Sequence, residues 1–293
     1  MRIRVFLNFS EKDSIPIHYN FLLQSVLYNS MDKATASIVH NQGYSVGTRV
    51  FRYFTFSRLL GHAQLSTDRK SIRFPDDCEW IICSPLKEIL NSIAKGFLQA
   101  GVLTLGSAKA DITAVRVEDP ATDAFSKQSI DIRSSEFSRI KVRTLSPVVA
   151  YSTMLRGDGK KYTVYFQPGE PEFERIVSEN LRKKEEGLRS LDSDRYWLSL
   201  SNINKMTDAK IQNANERGVS RASGLATPGN MANCFKVWPK NRPRLSIIKY
   251  KGGIIKGYSA LLELEGPRTT LQLALDAGLG SKNAQGFGCL EVI

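Results

Sequence analysis

The order of strand-like and helix-like segments constrains this chain more than any other feature of its sequence. Residues 2–9 alternate basic and apolar side chains before they become more apolar, which is typical of a strand. Residues 20–31 carry apolar side chains at helical spacing, and Asp32 is placed to cap a second short helix that ends near Val39. The pattern then predicts strands at 49–60 and 71–83, a helix that opens with Pro85 and ends near Leu98, and strand character over 102–117.

That order, β-α-β-β-α-β, is the order of a ferredoxin-like unit. The second half of the chain repeats the plan, with predicted strands at 145–151 and 162–166, a charged helix at 172–186, strands at 245–250 and 254–264, a helix at 268–277 and a last strand at 287–293. Gly252-Gly253 between two of these strands is a hairpin signal. The sequence therefore predicts an α+β fold of two tandem ferredoxin-like (RRM-like) units with antiparallel sheets.

Composition shifts along the chain predict where these units begin and end. Residues 1–118 form the expected first domain, and the polar stretch 119–140, which contains Pro120, is the expected linker. Residues 141–293 form the expected second domain. About 187–240 is rich in Asn, Ser and Arg and does not fit the repeated plan, so it is interpreted as an insertion.

A glycine-rich stretch lies between the last predicted helix and the last predicted strand. Gly278, Gly280, Gly286 and Gly288 flank the polar centre Ser281-Lys282-Asn283-Ala284-Gln285. Glycine permits positive φ, and successive free N–H groups in such a turn form a concave anion site. The alternative interpretation is a helix-to-strand turn with glycine at its C-cap. A dinucleotide-binding fingerprint is excluded, because in that motif the glycines precede the helix.

The charge balance predicts an acidic partner. The chain carries 41 Lys and Arg against 29 Asp and Glu, for a net charge of +12, and the basic residues form no continuous run. A folded basic surface for nucleic acid is therefore expected ahead of a membrane surface. The four cysteines show no metal-ligand spacing and favour buried free thiols in a reducing compartment. With no signal-peptide pattern and no long apolar span, a soluble cytoplasmic protein without membrane contact is expected.

Several short motifs together carry a family resemblance. They are Tyr19-Asn20, the helix segment Leu23-Gln24-Ser25-Val26-Leu27-Tyr28, His40, Arg52-Tyr53-Phe54-Thr55-Phe56-Ser57, Ser146-Pro147 and the glycine-rich stretch. With the tandem plan and the basic charge, they resemble the CRISPR-associated endoribonucleases that cut repeat RNA, the sixth Cas family of the RAMP superfamily. The resemblance covers nearly the whole chain except 187–240, and the glycine-rich stretch is its most specific element.

The resemblance implies a reaction and its residues. The family cuts CRISPR precursor RNA within its repeats without a metal or cofactor, by attack of a ribose 2′-hydroxyl, and leaves 2′,3′-cyclic phosphate and 5′-hydroxyl ends. The resemblance places the catalytic roles on Tyr28, His40 and Arg52. It also implies that the partner is repeat RNA, either single-stranded or hairpinned. A homodimer and association with a CRISPR effector complex stay open. Two alternatives stay open as well: a non-catalytic repeat-RNA-binding subunit of an effector assembly, and a basic RNA-binding protein unrelated to CRISPR.

The three residues suit these roles chemically. Histidine is the residue type whose unperturbed pKa lies near neutrality, and His40 follows a predicted short helix, with His18 and His62 as the alternative histidines. Tyr28 falls opposite the apolar face of its helix, where a phenol can bond a phosphate or stack on a base. Arg52 can stabilise charge on the phosphate, with Arg49 as the alternative.

For RNA binding, the sequence lacks the RRM aromatic signature, so a basic cleft between the two units is predicted instead. The predicted RNA contacts are Arg49, Gly278, Gly280, Lys282, Asn283, Gln285, Gly286 and Gly288. Lys249, Lys251 and Lys256 either extend this track or form a solvated hairpin face. A metal-dependent nuclease is disfavoured, because no carboxylates show ligand spacing.

Overall fold

Two halves, each built on its own antiparallel sheet, make up the computed structural model, which describes residues 1–118, 137–191 and 235–293. In the first half the strands are β1 (Arg2–Phe9), β2 (Ile15–Pro16), β3 (Tyr44–Val46), β4 (Arg49–Phe51), β5 (Thr55–Phe56), β6 (Gln64–Leu65), β7 (Ser71–Arg73), β8 (Cys78–Cys83), β9 (Val102–Leu105) and β10 (Ala108–Glu118). The helices are α1 (Asn20–Ser30), α2 (Lys33–Ala36) and α3 (Lys87–Ala100), and a π-helical turn spans Ser37–Gln42.

The first sheet has the strand order β5-β8-β1-β10-β9, with every neighbouring pair antiparallel. Along β1 the apolar side chains Ile3, Val5 and Leu7 are buried in the core under α1 and α3, because alternate residues of a strand face the same side. The order is that of a ferredoxin-like sheet with one strand added at the edge. As predicted, Asp32 caps α2 and accepts a bond from the N–H of Thr35 at 2.9 Å.

The second half contains β11 (Phe137–Thr144), β12 (Ala150–Leu155), β13 (Lys161–Phe166), β14 (Lys236–Pro239), β15 (Arg244–Tyr250), β16 (Gly253–Ser259), β17 (Leu261–Pro267) and β18 (Leu290–Val292). Its helices are α4 (Pro171–Arg189) and α5 (Arg268–Ala277), with a 3-10 turn at Asn283–Gln285. The sheet order β14-β17-β11-β18 is again ferredoxin-like and antiparallel. The predicted fold class, an α+β chain of two ferredoxin-like units, is confirmed.

The strands that build the second sheet differ from the predicted ones. Its central strand is β11, whose inward residues Ile140 and Val142 alternate with basic ones, whereas 145–151 was the predicted strand. Leu145 and Val148 are buried outside any strand. The predicted strand 254–264 divides into β16, which pairs with β15 in a separate hairpin, and β17, which joins the sheet. The pattern identified apolar runs correctly but not their partners.

Boundaries in the first half also differ from the predictions. The predicted strand 49–60 is broken into β4 and β5 at Tyr53, whose φ is +45°. The predicted strand 71–83 is two strands, and 102–117 is a hairpin that turns at Gly106 with φ +70°. Pro85 does not open α3, which begins at Lys87.

Described strands and helices extend into both the predicted linker and the predicted insertion. β11 begins at Phe137 inside the predicted linker, α4 continues to Arg189, and β14 occupies the end of the predicted insertion. The last predicted strand, 287–293, is reduced to β18. Residues 119–136 and 192–234, which hold the rest of both segments and Cys234, lie outside the described residues.

Side chains of the first half also contact side chains of the second half. Cys83 and Cys289 lie with their Sγ atoms 4.0 Å apart, in a cluster with Ile81 and Leu145. Arg4 of the first half bonds Glu291 of the second at 3.3 Å. Cys78, Cys83 and Cys289 are buried and free, as predicted for these three. No helix among the described residues is long and apolar enough to cross a membrane.

Candidate active site

A cleft of about 640 Å³ opens between the two halves. The first half contributes α1, the π-helical turn and β4 to its walls. The second half contributes α4, the glycine-rich loop and two hairpins, β12–β13 and β15–β16. The side chains that line it include Gln24, Tyr28, His40, Arg49, Arg52, Tyr151, Asn180, Lys184, Tyr250, Lys251, Lys282, Asn283 and Gln285. The described lining contains basic and aromatic side chains and no carboxylate.

Tyr28 lies on α1 with its hydroxyl at the cleft. Its ring contacts His40 edge-on, with centroids 4.8 Å apart, and contacts Phe54 at 5.7 Å. The buried Oη makes no hydrogen bond of good geometry to a described residue, although Arg52 lies close enough to act on it. Burial raises the pKa of Tyr28, and the nearby Arg52 guanidinium only partly offsets this. The phenol therefore stays protonated at neutral pH and has a proton to donate.

His40 is exposed on the π-helical turn, at the mouth of the cleft. Its Nδ1 lies 2.8 Å from Oδ1 of Asn41. Because that amide oxygen only accepts, Nδ1 carries the proton in this pair and Nε2 of the neutral ring is left as a base. The helix predicted to end near Val39 thus continues as a π-helical turn that presents His40.

Arg52 follows β4 and lies beside both residues. Its Nη2 donates to the main-chain carbonyl of His40 at 3.2 Å, which connects the basic side chain to the histidine turn. Arg49 is exposed on β4 and lines the same cleft. The structure therefore brings Tyr28, His40 and Arg52 together, with Arg49 near them.

The four glycines of the loop are buried rather than presented to the cleft. All have positive φ, between +71° and +83°. A Cβ on Gly278 would lie 2.5 Å from Asn283 Nδ2, one on Gly280 2.5 Å from the Val149 carbonyl, and one on Gly286 would overlap the Phe56 ring. The glycines are thus required where the loop packs against both halves.

Five main-chain N–H groups of the loop have partners in the fold. Leu279, Ser281, Gln285, Gly286 and Gly288 donate to carbonyl groups of Gly288, Val149, Lys282, Asn283 and Pro147. The predicted cradle of free N–H groups is therefore wrong for these five. Asn283 is buried too: its Nδ2 donates to the carbonyls of Leu279 and Phe287, and its Oδ1 accepts from Lys184. Of the predicted loop contacts, Gly286, Gly288 and Asn283 use N–H groups as donors within the fold, and the carbonyls of Gly278 and Gly280 accept from Lys184.

Besides Asn283, the loop side chains Lys282 and Gln285 line the cleft. Lys282 places its Nζ over the ring of Tyr151 at 5.2 Å, and partial burial lowers its pKa. Gln285 has an Oε1 that is buried and without a hydrogen-bond partner among the described residues. Tyr151 in turn contacts Tyr165, with ring centroids 5.9 Å apart. This wall offers a cation, an amide and an aromatic pair.

The sequence analysis missed Gln24, Tyr250 and Lys184 at this site. Nε2 of Gln24 donates to the Ala284 carbonyl at 2.6 Å, and its Oε1 accepts from the Tyr250 hydroxyl, so α1 is tied to the loop and to β15. Burial raises the pKa of Tyr250 to about 12. Gln24 lay next to Tyr28 on the polar side of the predicted helix, which was a usable signal. Nothing in the local pattern marked Lys184.

Of the remaining candidates His18, His62, Lys249, Lys251 and Lys256, Lys251 alone lines this cleft. His18 does not line it, and burial together with Lys249 and Arg58 lowers its pKa. His62 pairs with Asp76 at 3.2 Å on the surface. Lys251 lines the cleft, whereas Lys249 and Lys256 are exposed outside it. In the part of the chain that the structure describes, no three His, Cys, Asp or Glu side chains are grouped so as to hold a metal ion.

Comparison with known proteins gives consistent results. The family model for the C-terminal part of CRISPR associated protein Cas6 matches residues 130–292, and that for the N-terminal part, of the I-A type, matches residues 14–116. The search of curated proteins gives no match. A Cas6-related protein from Pyrococcus furiosus has a similar structure, with a TM-score of 0.71 at 18% identity over 100% of this chain and 98% of that one.

Two further solved structures share the fold. One is described as a RAMP protein binding different RNA substrates, with a TM-score of 0.66 at 16% identity over 100% of this chain and 99% of that one. The other is a Cas6 product complex, with a TM-score of 0.59 at 12% identity over the same shares. At these identities the similarity shows the fold, and the family models, one of which alone matches more than half of the chain, show the family. This chain therefore belongs to the Cas6 family of CRISPR-associated proteins.

Proposed function

We propose that this chain is an endoribonuclease that cuts CRISPR precursor RNA within its repeats, without a metal, to give crRNA. The observation that carries the proposal is the meeting of Tyr28, His40 and Arg52 in one basic cleft between the halves. An unpaired phenol, a histidine with a free nitrogen and a guanidinium are a sufficient set for attack on a phosphodiester.

The proposed reaction is the one that the family resemblance implies, and the positions of the three side chains support their roles in it. The 2′-oxygen of one nucleotide forms a bond to the adjacent phosphorus while the bond from phosphorus to the 5′-oxygen breaks. His40 takes the proton from the 2′-hydroxyl at Nε2, and the leaving 5′-oxygen takes a proton from solvent. Tyr28 donates to a non-bridging oxygen, and Arg52 stabilises the charge of the pentacoordinate phosphate. The products are a 2′,3′-cyclic phosphate and a 5′-hydroxyl.

RNA binding is assigned to the side chains that the cleft presents. Arg49, Lys251 and Lys282 supply positive charge along it, and Gln285 offers an acceptor for a base edge or a ribose hydroxyl. Each phosphate that these cations neutralise contributes about −0.7 to the slope of log affinity against log salt concentration. Repeat-RNA affinity that is insensitive to salt would contradict this assignment.

The test is cleavage of the cognate repeat RNA in excess EDTA. Wild type cuts and leaves cyclic-phosphate ends, whereas His40→Ala loses roughly 10²–10⁴-fold in rate. Arg52→Ala loses more cleavage than Arg49→Ala, because only Arg52 is bonded to the histidine turn. His62→Ala is the matched control, since that exposed histidine pairs with Asp76 away from the cleft. Cleavage by His40→Ala at the wild-type rate would contradict the catalytic assignment.

A second candidate is a subunit that holds repeat RNA without cutting it. The likeness to a RAMP protein described by its binding of different RNA substrates favours this candidate. It predicts tight, salt-sensitive binding of the repeat with no cleavage by wild type under any condition. Light scattering of the free protein and of its RNA complex decides whether a homodimer or a larger assembly is the working form.

A further inference from the structure

Lys184 is an unusual residue for the interior of a protein. It lies on α4 with 3% of its surface exposed, and its Nζ donates to the carbonyls of Gly278 at 2.7 Å and Gly280 at 3.3 Å and to Oδ1 of Asn283 at 2.8 Å. It makes no ion pair with a carboxylate among the described residues. Burial lowers its pKa to about 7. An unpaired ammonium is costly to bury, so the three bonds to the loop are what compensate it.

These bonds hold the part of the glycine-rich loop that faces the cleft. Two accepting carbonyls flank Leu279, and Asn283 directly follows Lys282, whose own backbone is left-handed with φ +63°. The Asn283 amide spans the loop through its bonds to Leu279 and Phe287. Lys184 thereby fixes the segment from which Lys282 enters the cleft.

The same residue is bonded to the first half through its main chain. The hydroxyl of Tyr53 donates to the carbonyl oxygen of Lys184 at 2.8 Å in a buried contact. Gly187, nearly one turn further along α4, leaves room for this hydroxyl, since a Cβ there would overlap it. Tyr53 directly follows Arg52 and has the left-handed backbone that separates β4 from β5. One residue of α4 is therefore bonded to the neighbours of both Arg52 and Lys282.

We propose that Lys184 is a positioning residue for RNA processing, which holds Lys282 on one wall of the cleft through its ammonium and Arg52 on the other through its carbonyl. The proposal rests on the proposed function. It makes the side chain of Lys184 responsible for RNA affinity and the Tyr53 bond responsible for the rate of cleavage. If Lys184 and the Tyr53 bond contributed only to the stability of the fold, their variants would not affect RNA affinity and cleavage rate separately.

A double-mutant cycle with Lys184→Met and Lys282→Ala tests the ammonium. The probe is repeat RNA with a 2′-deoxyribose at the scissile nucleotide, so that binding is measured without cleavage. Lys282→Ala reduces the magnitude of the salt slope by about 0.7. Lys184→Met produces a similar reduction of the salt slope. The double variant binds RNA no more weakly than whichever single variant has the lower affinity. Losses of affinity that add in the double variant overturn the proposal.

The second bond is tested with Tyr53→Phe, which keeps the ring and removes the hydroxyl. We expect this variant to cut with a lower kcat and an unchanged Kd, whereas Lys184→Met raises Kd and keeps kcat at saturating RNA within about threefold. Equal effects of both variants on both quantities overturn the division of roles. Where Lys184→Met does not fold, Lys184→Gln, which retains an amide donor, takes its place and is expected to lose less affinity than full removal of Lys282.

The experiments distinguish a failure of the proposed function from a failure of the proposal for Lys184. A wild type that binds the deoxy-substituted repeat but does not cut the natural repeat refutes the proposed cleavage, and the binding cycle still decides the role of the ammonium. A wild type that binds no repeat RNA overturns both proposals. Thermal unfolding of each variant confirms that the measurements report folded protein.

Discussion

Gly286→Ala tests whether the glycine-rich loop packs the two halves together or binds phosphate. Gly286 has φ +83°, and a Cβ there would overlap the Phe56 ring and lie 2.8 Å from Asn20 Nδ2. Asn20 itself donates to the carbonyls of Gln285 and Gly286 at 3.1 and 3.0 Å. The substitution therefore forces apart a buried contact between α1, β5 and the loop.

The expected loss of folding stability in Gly286→Ala has two parts. A left-handed backbone costs an alanine about 1 kcal/mol. Forcing a methyl group into a filled site adds about 2 kcal/mol. Gly252 separates the two parts, because it has φ +81° with nothing within 4 Å of its would-be Cβ. Gly286→Ala is thus expected to destabilise by about 3 kcal/mol and Gly252→Ala by about 1 kcal/mol.

Thermal unfolding of the two variants measures the difference. One kcal/mol corresponds to roughly 2–3 °C for a chain of this size, so Tm falls by roughly 6–9 °C for Gly286→Ala and by roughly 2–3 °C for Gly252→Ala. Equal shifts would refute the packing argument. A Gly286→Ala variant with wild-type Tm and weakened RNA binding would instead support a phosphate-binding role for the loop.

Two further predictions follow from the site and from the contact between halves. Tyr28→Phe keeps both ring contacts and removes an unpaired hydroxyl, so the cleavage rate falls about 10²-fold while Tm does not fall; a lower Tm would show that the hydroxyl has a structural partner. Burial raises the pKa of Glu291, but hydrogen bonds and charges from Arg143, Arg4 and Arg2 lower it overall, so the carboxylate contributes stability above about pH 4.5 that is lost as the pH falls through its folded-state pKa. Glu291→Gln is therefore about 1 kcal/mol less stable at pH 7, and denaturant titrations should show the gap closing below pH 4.5; a gap that persists in acid would contradict this pairing.

Features that depend on neighbouring residues were predictable from the sequence. The cap at Asp32 and helix α5 over Arg268–Ala277 appear where the pattern placed them, and the hairpin turn, at Lys251-Gly252, lies one residue before the predicted Gly252-Gly253. Each is decided by local backbone preference, a short-range hydrogen bond or an apolar period, and these are written in consecutive residues.

Errors arose where a distant partner decides the structure. The alternation of β11 was visible in the sequence, but its basic residues made it look like the end of a linker, and only pairing with β17 and β18 shows it to be the central strand. At the break between β4 and β5, the hydroxyl of Tyr53 is bonded to α4. Neither partner is near in sequence, so no local window could contain the information.

The sequence by itself determined the tandem α+β plan and the basic charge, and its family resemblance pointed to Tyr28, His40 and Arg52, which line the same cleft. Only the tertiary structure decided what the glycine-rich loop does. Glycine identity shows that a backbone can take positive φ, but not whether ligand or protein fills the space that the missing Cβ leaves. Here Phe56, Asn283 and the Val149 carbonyl fill it, and the buried Lys184 holds the loop in place.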